Sequence, residues 1–304
     1  LAFSEKSLDV QRNVVSEEFK QRYLNQPYGD VWLKLRPLAY KEHPYKWATI
    51  GKELKHIEDA TIEDVKAFFK KHYNPSNAIM VVGGSIKAAE VKLLAEKWFG
   101  PIPAGTKYNR SLPQEPEQTE PRFETIIADV PLNALYMAFQ MPGRNDRDYQ
   151  CFDLISDILS LGQSSRLYNS LIKEKQLFSD VNAYITSSMD NGLFVVEGKL
   201  TNGVEVADAE AAIWVELEKI SSKNVDDTEL TKVKNKVESI AVFNHLSLLD
   251  KAMDLAYHEL LGDANDLNRE IEKYNAVTAE RILEVSRRTF QKEKCSTLYY
   301  LKNA

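Results

Sequence analysis

Apolar residues recur at helical spacing through most of the first hundred positions, and strand-like runs gather after a break. The pattern predicts a helix over about 7 to 24, a second around 28 to 40, and a polar loop containing EHPYKW. A helix from Thr61 to His72, a strand at AIMVVGG and a helix from about 87 to 98 follow. The break, Gly100 to Glu124, holds five prolines and reads as an interdomain linker. Beyond it the pattern predicts strands over 124 to 129 and 133 to 140, a long helix 147 to 161 and a short helix 164 to 174. Strands near 181 to 187 and 192 to 200, three helices and a last strand at STLYYL complete the chain. Thr61 with Asp64, and Thr278, read as helix N-caps.

The two halves end alike. TIEDVKAFFKKHYNPSNAIMVV from Thr61 and TAERILEVSRRTFQKEKCSTLYY from Thr278 share a capping Thr. They also share apolar residues at matching helical positions (Val65 with Ile282, Phe68 with Val285) and paired basic residues before an aromatic. The offset, 278 − 61 = 217, marks a duplicated α+β unit. The second unit starts near Phe123, whose counterpart falls at 123 − 217 = −94. The offset thus implies that roughly the first ninety to one hundred residues of the first unit are absent.

One helix carries a misplaced charge. At about 100° per residue, with Glu18 at zero, Val14 falls near −40°, Val15 near +60°, Leu8 near +80°, Val10 near −80° and Phe19 near +100°. Glu18 therefore sits close to the centre of the apolar arc, while Glu17 faces water beside Asn13, Lys20 and Gln21. A carboxylate taken out of water needs a partner or a metal. From the helix alone two readings fit: an ion pair with Arg22 at i,i+4, or a metal ligand or catalytic acid.

Composition narrows the class. At 304 residues, the length suggests about two domains, and 43% hydrophobic content with spread charge describes soluble globular material. A net charge of −6 and no interleaved basic and aromatic patch exclude a nucleic-acid footprint, and no apolar run reaches the length of a membrane span. Cys151 and Cys295 have no metal or redox spacing and read as space-filling residues.

Several blocks, in this order, carry a family resemblance: LDVQRNVVSEEFKQRY, then HPYKWATIGKELKHIEDATIEDVKAFFKKHYNPSNAIMVVGGSI, then MPGRNDRDYQCFDLISDILSLGQSSRLYNSLIKEKQLFSDV. Together they resemble the insulinase or pitrilysin (M16) zinc metallopeptidases, particularly the shorter members similar to mitochondrial processing peptidase subunits. The resemblance implies an α+β fold of two homologous units, each a mostly antiparallel sheet with helices packed on one face, the first truncated at its N-terminus. It implies residues 1–105 as the end of the first unit, 106–121 as linker and 122–304 as a complete second, inactive unit.

In that family zinc is held by two histidines of an HxxEH helix and by a later glutamate in a segment R-x-V-V-x-E-E. Arg12, Val14, Val15, Glu17 and Glu18 match this segment, and the ligand position falls on Glu18. The family often has a supporting glutamate seven residues earlier, where this chain has Gln11; Gln11 and Arg22 are the candidate supporting residues. The resemblance implies zinc as cofactor and a metal-activated water attacking the peptide bond. None of the five histidines, His43, His56, His72, His245 and His258, belongs to an HxxEH pair; His43 and His72 read as structural. The chain is therefore expected to bind zinc weakly or not at all and to be inactive alone.

The second unit offers no replacement site. Its helix RDYQCFDLISDILSL lacks histidine, Ser165 lacks a nucleophile elbow and reads as a cap, and VVGGSI reads as a turn. Some relatives carry an Arg and a Tyr that grip substrate; Phe194 and Thr201 stand in about those places. Two hypotheses remain. One is a zinc metalloendopeptidase acting on peptides or unfolded polypeptides, with its HxxEH helix outside this chain. The other is a non-catalytic M16-like scaffold or partner subunit. Either implies a homodimer or a heterodimer with another M16-like subunit, without nucleic acid or membrane, in the cytoplasm or periplasm.

Overall fold

A computed structural model describes residues 3–303. In chain order its helices and strands are α1 (Glu5–Phe19), α2 (Val31–Ala39), α3 (Leu54–Glu58), α4 (Ile62–His72), α5 (Ala88–Phe99), β1 (Arg122–Ala128) and β2 (Ala134–Met141). They continue as α6 (Tyr149–Ser160), β3 (Phe178–Ile185), β4 (Gly192–Leu200), α7 (Val206–Ser222), α8 (Asp227–Asn244), α9 (Leu248–Leu261), α10 (Glu270–Asn275), α11 (Ala279–Thr289) and β5 (Cys295–Lys302). Five helices rather than three fill the stretch between β4 and β5, because residues 223–226, 245–247, 262–269 and 276–278 each interrupt α-helical bonding.

The chain forms two compact units built from interleaved segments. One gathers residues up to Lys20, Ile50–Leu112 and Glu238–Glu270; the other gathers Gln21–Thr49, Pro113–Val237 and Ile271–Ala304. Sequence reading divides the chain in order at 105 and 122, whereas compactness assigns 21–49 to the second unit and 238–270 to the first. The two transferred segments begin 217 residues apart, so the transfer is reciprocal between the repeats.

The duplication is visible element by element. An offset of 217 carries α4 onto α11, the 3-10 turn Pro75–Asn77 onto Lys292–Lys294, and the first residue of α2 onto that of α9. Both predicted caps form. Thr61 Oγ1 accepts the Asp64 N–H at 3.1 Å while Asp64 Oδ2 accepts the Thr61 N–H at 3.0 Å, and Thr278 Oγ1 accepts the Arg281 N–H at 3.2 Å.

The second unit carries a five-stranded sheet of order β1-β5-β2-β4-β3, parallel only between β1 and β5. One face, through Leu135, Met137, Phe139, Phe194 and Val196, packs on α6, α7 and α11. The opposite face, through Tyr136, Ala138, Val195, Leu298 and Tyr300, packs on Val31, Leu35 and Ala39 of α2 and on Tyr40 just beyond it. β2 is therefore buried on both sides, which is why ALYMAFQM reads as a continuous apolar run rather than an alternating one.

The first unit is thinner. Among its described residues only Leu8, Phe19, Ile62 and Leu267 are buried apolar side chains. AIMVVGG, expected as a strand, takes no strand or bridge assignment, because a ladder needs a second segment and the described residues form only the sheet of the other unit.

Candidate functional site

The candidate ligand lies on α1, whose start is closed by Ser4: its Oγ accepts the Ser7 N–H at 3.2 Å. The buried face of α1 consists of Leu8, Ser16 and Phe19, while Val10 and Val14 are more than half exposed. This face centres on the Leu8 to Phe19 line, so the structure moves Glu18 from the expected centre of an apolar arc to its border, where it is half-buried. Glu17 is exposed and accepts a bond from Lys20 Nζ at 2.8 Å; Gln11 and Arg22 are exposed. Residues Lys20–Leu24 continue α1 as a π-helical turn. Arg12, the arginine of the R-x-V-V-x-E-E segment, donates from Nε to the Ala60 carbonyl at 2.9 Å and pairs with Asp9 at 2.9 Å. It ties α1 to the residue just before the cap of α4, a role invisible in the spacing alone.

The histidines are engaged elsewhere. His43 is 3% exposed, and its Nδ1 accepts the Tyr45 N–H, so Nε2 carries the proton that is donated to Asp190 Oδ2 at 3.1 Å. His56 pairs with Glu53, and His72 meets the ring of Phe68 at a tilt and that of Tyr108 edge-on. His258 Nδ1 bonds to the Asp254 carbonyl, and His245 lies 3.9 Å from Asp254. Among the described residues no three His, Cys, Asp or Glu side chains form a group that could hold a metal ion. Zinc needs at least three protein ligands, and among the described residues no such set is brought together.

The proline-rich stretch hides a second feature. Glu115, 7% exposed, accepts the backbone N–H groups of Lys41 at 2.7 Å and of Glu42 and His43 at 2.9 Å. Gln118, 2% exposed, donates to the Cys295 carbonyl at 2.8 Å and accepts from Ser296 Oγ at 3.0 Å. What composition marks as linker is docked structure at these two residues. The only sequence signal was polar residues inside a stretch too rich in proline to be helical.

Beside them, a cavity of about 420 Å³ is lined by Gln140, Arg147, Asp148, Arg288 and Lys294 among others. Burial alone would raise the Asp148 carboxyl, but hydrogen bonds and charge from Arg281 and Arg288 outweigh it and hold the group below its ordinary range. Its oxygens are thereby committed to structure. Burial pushes the Cys151 thiol up to about 12, which leaves it inert. Ser165 is fully buried and donates to the Gly162 carbonyl at 2.7 Å, so it is no nucleophile. Phe194 is core, packed on Phe290 and Phe152.

Asp157, one turn from Asp153 on α6, is pushed up to about 6 by burial and then by Asp153, against the pull of Lys236 and Lys232. A raised carboxyl contributes stability that is complete below its unfolded value and is lost as pH rises through about 6. Asp157→Asn is therefore expected to stabilise the chain at pH 7.5, by on the order of 1 kcal/mol after solvent screening, and not at pH 4. Urea unfolding at the two pH values checks this.

Fold and site together define a duplicated α+β protein whose second half carries a five-stranded sheet with a buried core on each face. A family model described as the peptidase M16 inactive domain matches residues 59–237, more than half of the chain. The chain belongs to the M16 peptidase family. It is 27% identical over 295 residues to the zinc protease PqqE of Helicobacter pylori, covering 96% of this chain and 66% of that protein. To YmxG, an uncharacterized zinc protease of Bacillus subtilis, it is 24% identical over 294 residues, covering 96% and 70%. A probable mitochondrial-processing peptidase subunit beta of Schizosaccharomyces pombe matches 54% of the chain at 25% identity, covering 38% of that protein. Among solved structures, a protease from Helicobacter pylori superposes with TM-score 0.90 at 25% identity, over 99% of this chain and 73% of that one. The chain spans about two thirds of the length of the zinc proteases it matches. No helix among the described residues is long and apolar enough to cross a membrane.

Proposed function

We propose that this chain is part of a zinc metalloendopeptidase acting on peptides or unfolded polypeptides. It contributes Glu18 as one metal ligand, and the histidine ligands come from residues other than these 304. By itself it is inactive. The observation that carries this reading is Glu18 in an R-x-V-V-x-E-E segment on a helix, half-buried at the border of the packed face, in a chain of the M16 family. The likeness to a processing-peptidase subunit supports a paired assembly, with a second copy or another M16-like subunit. The name of the matched model, an inactive domain, favours a second reading in which the chain is a non-catalytic partner.

Glu18→Gln, made in a form of the protein that carries an HxxEH helix, separates the readings. Loss of a ligand is expected to lower bound zinc and peptide cleavage by about 100-fold or more, beyond the 10- to 100-fold typical of a group that merely supports a ligand. Elemental analysis and a fluorogenic peptide assay measure both. Unchanged zinc and activity would reject Glu18 as ligand. Zinc-dependent cleavage by residues 1–304 alone would reject the claim that they are inactive.

A further inference from the structure

The sheet of the second unit ends in two edges, β1 and β3, and they are built differently. β3 carries defences against pairing with another chain: a register shift between Phe178 and Asp180, and the exposed Asp180 carboxylate. β1 is seven residues long and pairs with β5 without interruption. The end of β1 shows which of its residues face the open side. The Asn303 N–H donates to the Ala128 carbonyl at 3.0 Å, and Asn303 follows Lys302, the register partner of Ala128. Ala128 therefore faces β5, and alternation along a parallel ladder turns 122, 124 and 126 the same way. Phe123, Thr125 and Ile127 keep their backbone N–H and C=O groups on the open edge, where β1 has no strand partner among the described residues.

Those three positions carry no charge and no proline, and residues of their aromatic and β-branched kind favour strands. Their side chains share one face, on which Phe123 is 57% and Ile127 67% exposed. The outward series stops at Pro121, which has no N–H to offer, and at Asp129, an exposed carboxylate in a bend. An open, uncharged edge of this length is a template for strand addition.

The edge is complementary to itself. An antiparallel copy set about a two-fold axis through Thr125 places Phe123 opposite Ile127, Thr125 opposite Thr125 and Ile127 opposite Phe123. Each of these is a hydrogen-bonded pair that exchanges two bonds, about six in all. A shift of two residues either way sets Ile127 against Pro121 or Phe123 against Asp129. Any extended chain can satisfy the open backbone groups, but alternate side chains select the partner, and here the edge carries its own match. We propose that β1 is the docking edge for a second copy of this chain, joined antiparallel about a two-fold axis at Thr125 so that one sheet runs through both copies. The inference deepens the paired assembly proposed above, and rests on that part of the reading, by giving it a surface and a single occupant.

Amide hydrogen exchange of residues 1–304 at about 5 and about 500 μM tests the contact, since an interface of this size belongs to the weak class. The Phe123, Thr125 and Ile127 amides are expected to exchange at least about 10-fold more slowly at the higher concentration, while Glu124 and Ile126, bonded to β5, stay protected at both. Thr125→Pro removes an N–H that β5 does not use, so it should abolish the concentration dependence at 123 and 127 and leave 124 and 126 protected. Phe123→Lys or Ile127→Glu alone alters two cross-strand pairs per dimer and should weaken association about 10-fold in sedimentation. The double variant should recover it, because the register sets each new cation opposite a new carboxylate. Failure to recover would overturn the register and with it the proposal, as would equal protection of 123, 125 and 127 at both concentrations. Association that leaves those three amides unprotected would overturn the β1 contact but keep a paired assembly; a monomer at both concentrations would overturn the second copy in both. Glu18→Gln should leave association unchanged, so this inference and the zinc reading fail separately.

Discussion

Glu115→Ala is expected to destabilise the second unit by about 2–4 kcal/mol, because one carboxylate satisfies three backbone donors and a charge-assisted bond of this kind contributes about 1.5–3 kcal/mol. The Lys41 and Glu42 residues are exposed, so water can replace part of what their N–H groups lose. His43 is buried and its N–H has no such recourse. The loss should spread along the loop, since the same turn holds His43 against Asp190 and lets Tyr40 donate to the Asn191 carbonyl at 3.0 Å. Glu115→Gln keeps the size and one acceptor oxygen and should cost less than half as much. Denaturant midpoints of the three proteins give the comparison; equal stability of Glu115→Ala and the parent would show that the linker is not docked in solution.

Leu35→Asp is expected to be the more severe change, at more than about 4 kcal/mol, because it combines loss of a buried leucine with an unpaired carboxylate in an apolar contact. Leu35 is fully buried on α2, among Val31, Ala39 and the sheet residues of the opposite cluster. The variant should expose the face formed by Tyr136, Val195 and Leu298. Increased binding of a hydrophobic dye, together with faster amide exchange in β2 and β4, would register that exposure. Leu35→Ala, at about 2–5 kcal/mol, keeps the test useful if the aspartate variant fails to accumulate as folded protein. A merely local effect, with the amides of β2 and β4 unchanged, would mean that α2 does not cover the sheet.

Helices that carry their own signals were legible in the sequence. Thr61 and Thr278 at fixed distance from amphipathic runs predict α4 and α11, because caps and periodicity act within a few residues. Ser165, expected as a helix cap, instead donates its hydroxyl to the Gly162 carbonyl, a contact that the local pattern does not show. The strand at AIMVVGG does not form, since pairing is a property of two segments and local apolar composition reports only one. Glu18 shows the same limit at the site: helical angles place it relative to apolar residues, but not all of those residues are buried.

The sequence by itself determined the duplicated α+β plan, the family blocks and the glutamate that matches a ligand position, because a repeat offset and short-range spacing are written directly in residue order. Tertiary structure alone decided which segments pack together. It assigned 21–49 and 238–270 to units opposite their place in the chain, docked Glu115 under a loop seventy residues distant, and showed which apolar faces are covered. Burial and hydrogen-bond satisfaction depend on what arrives from far along the chain, and no local pattern records that arrival.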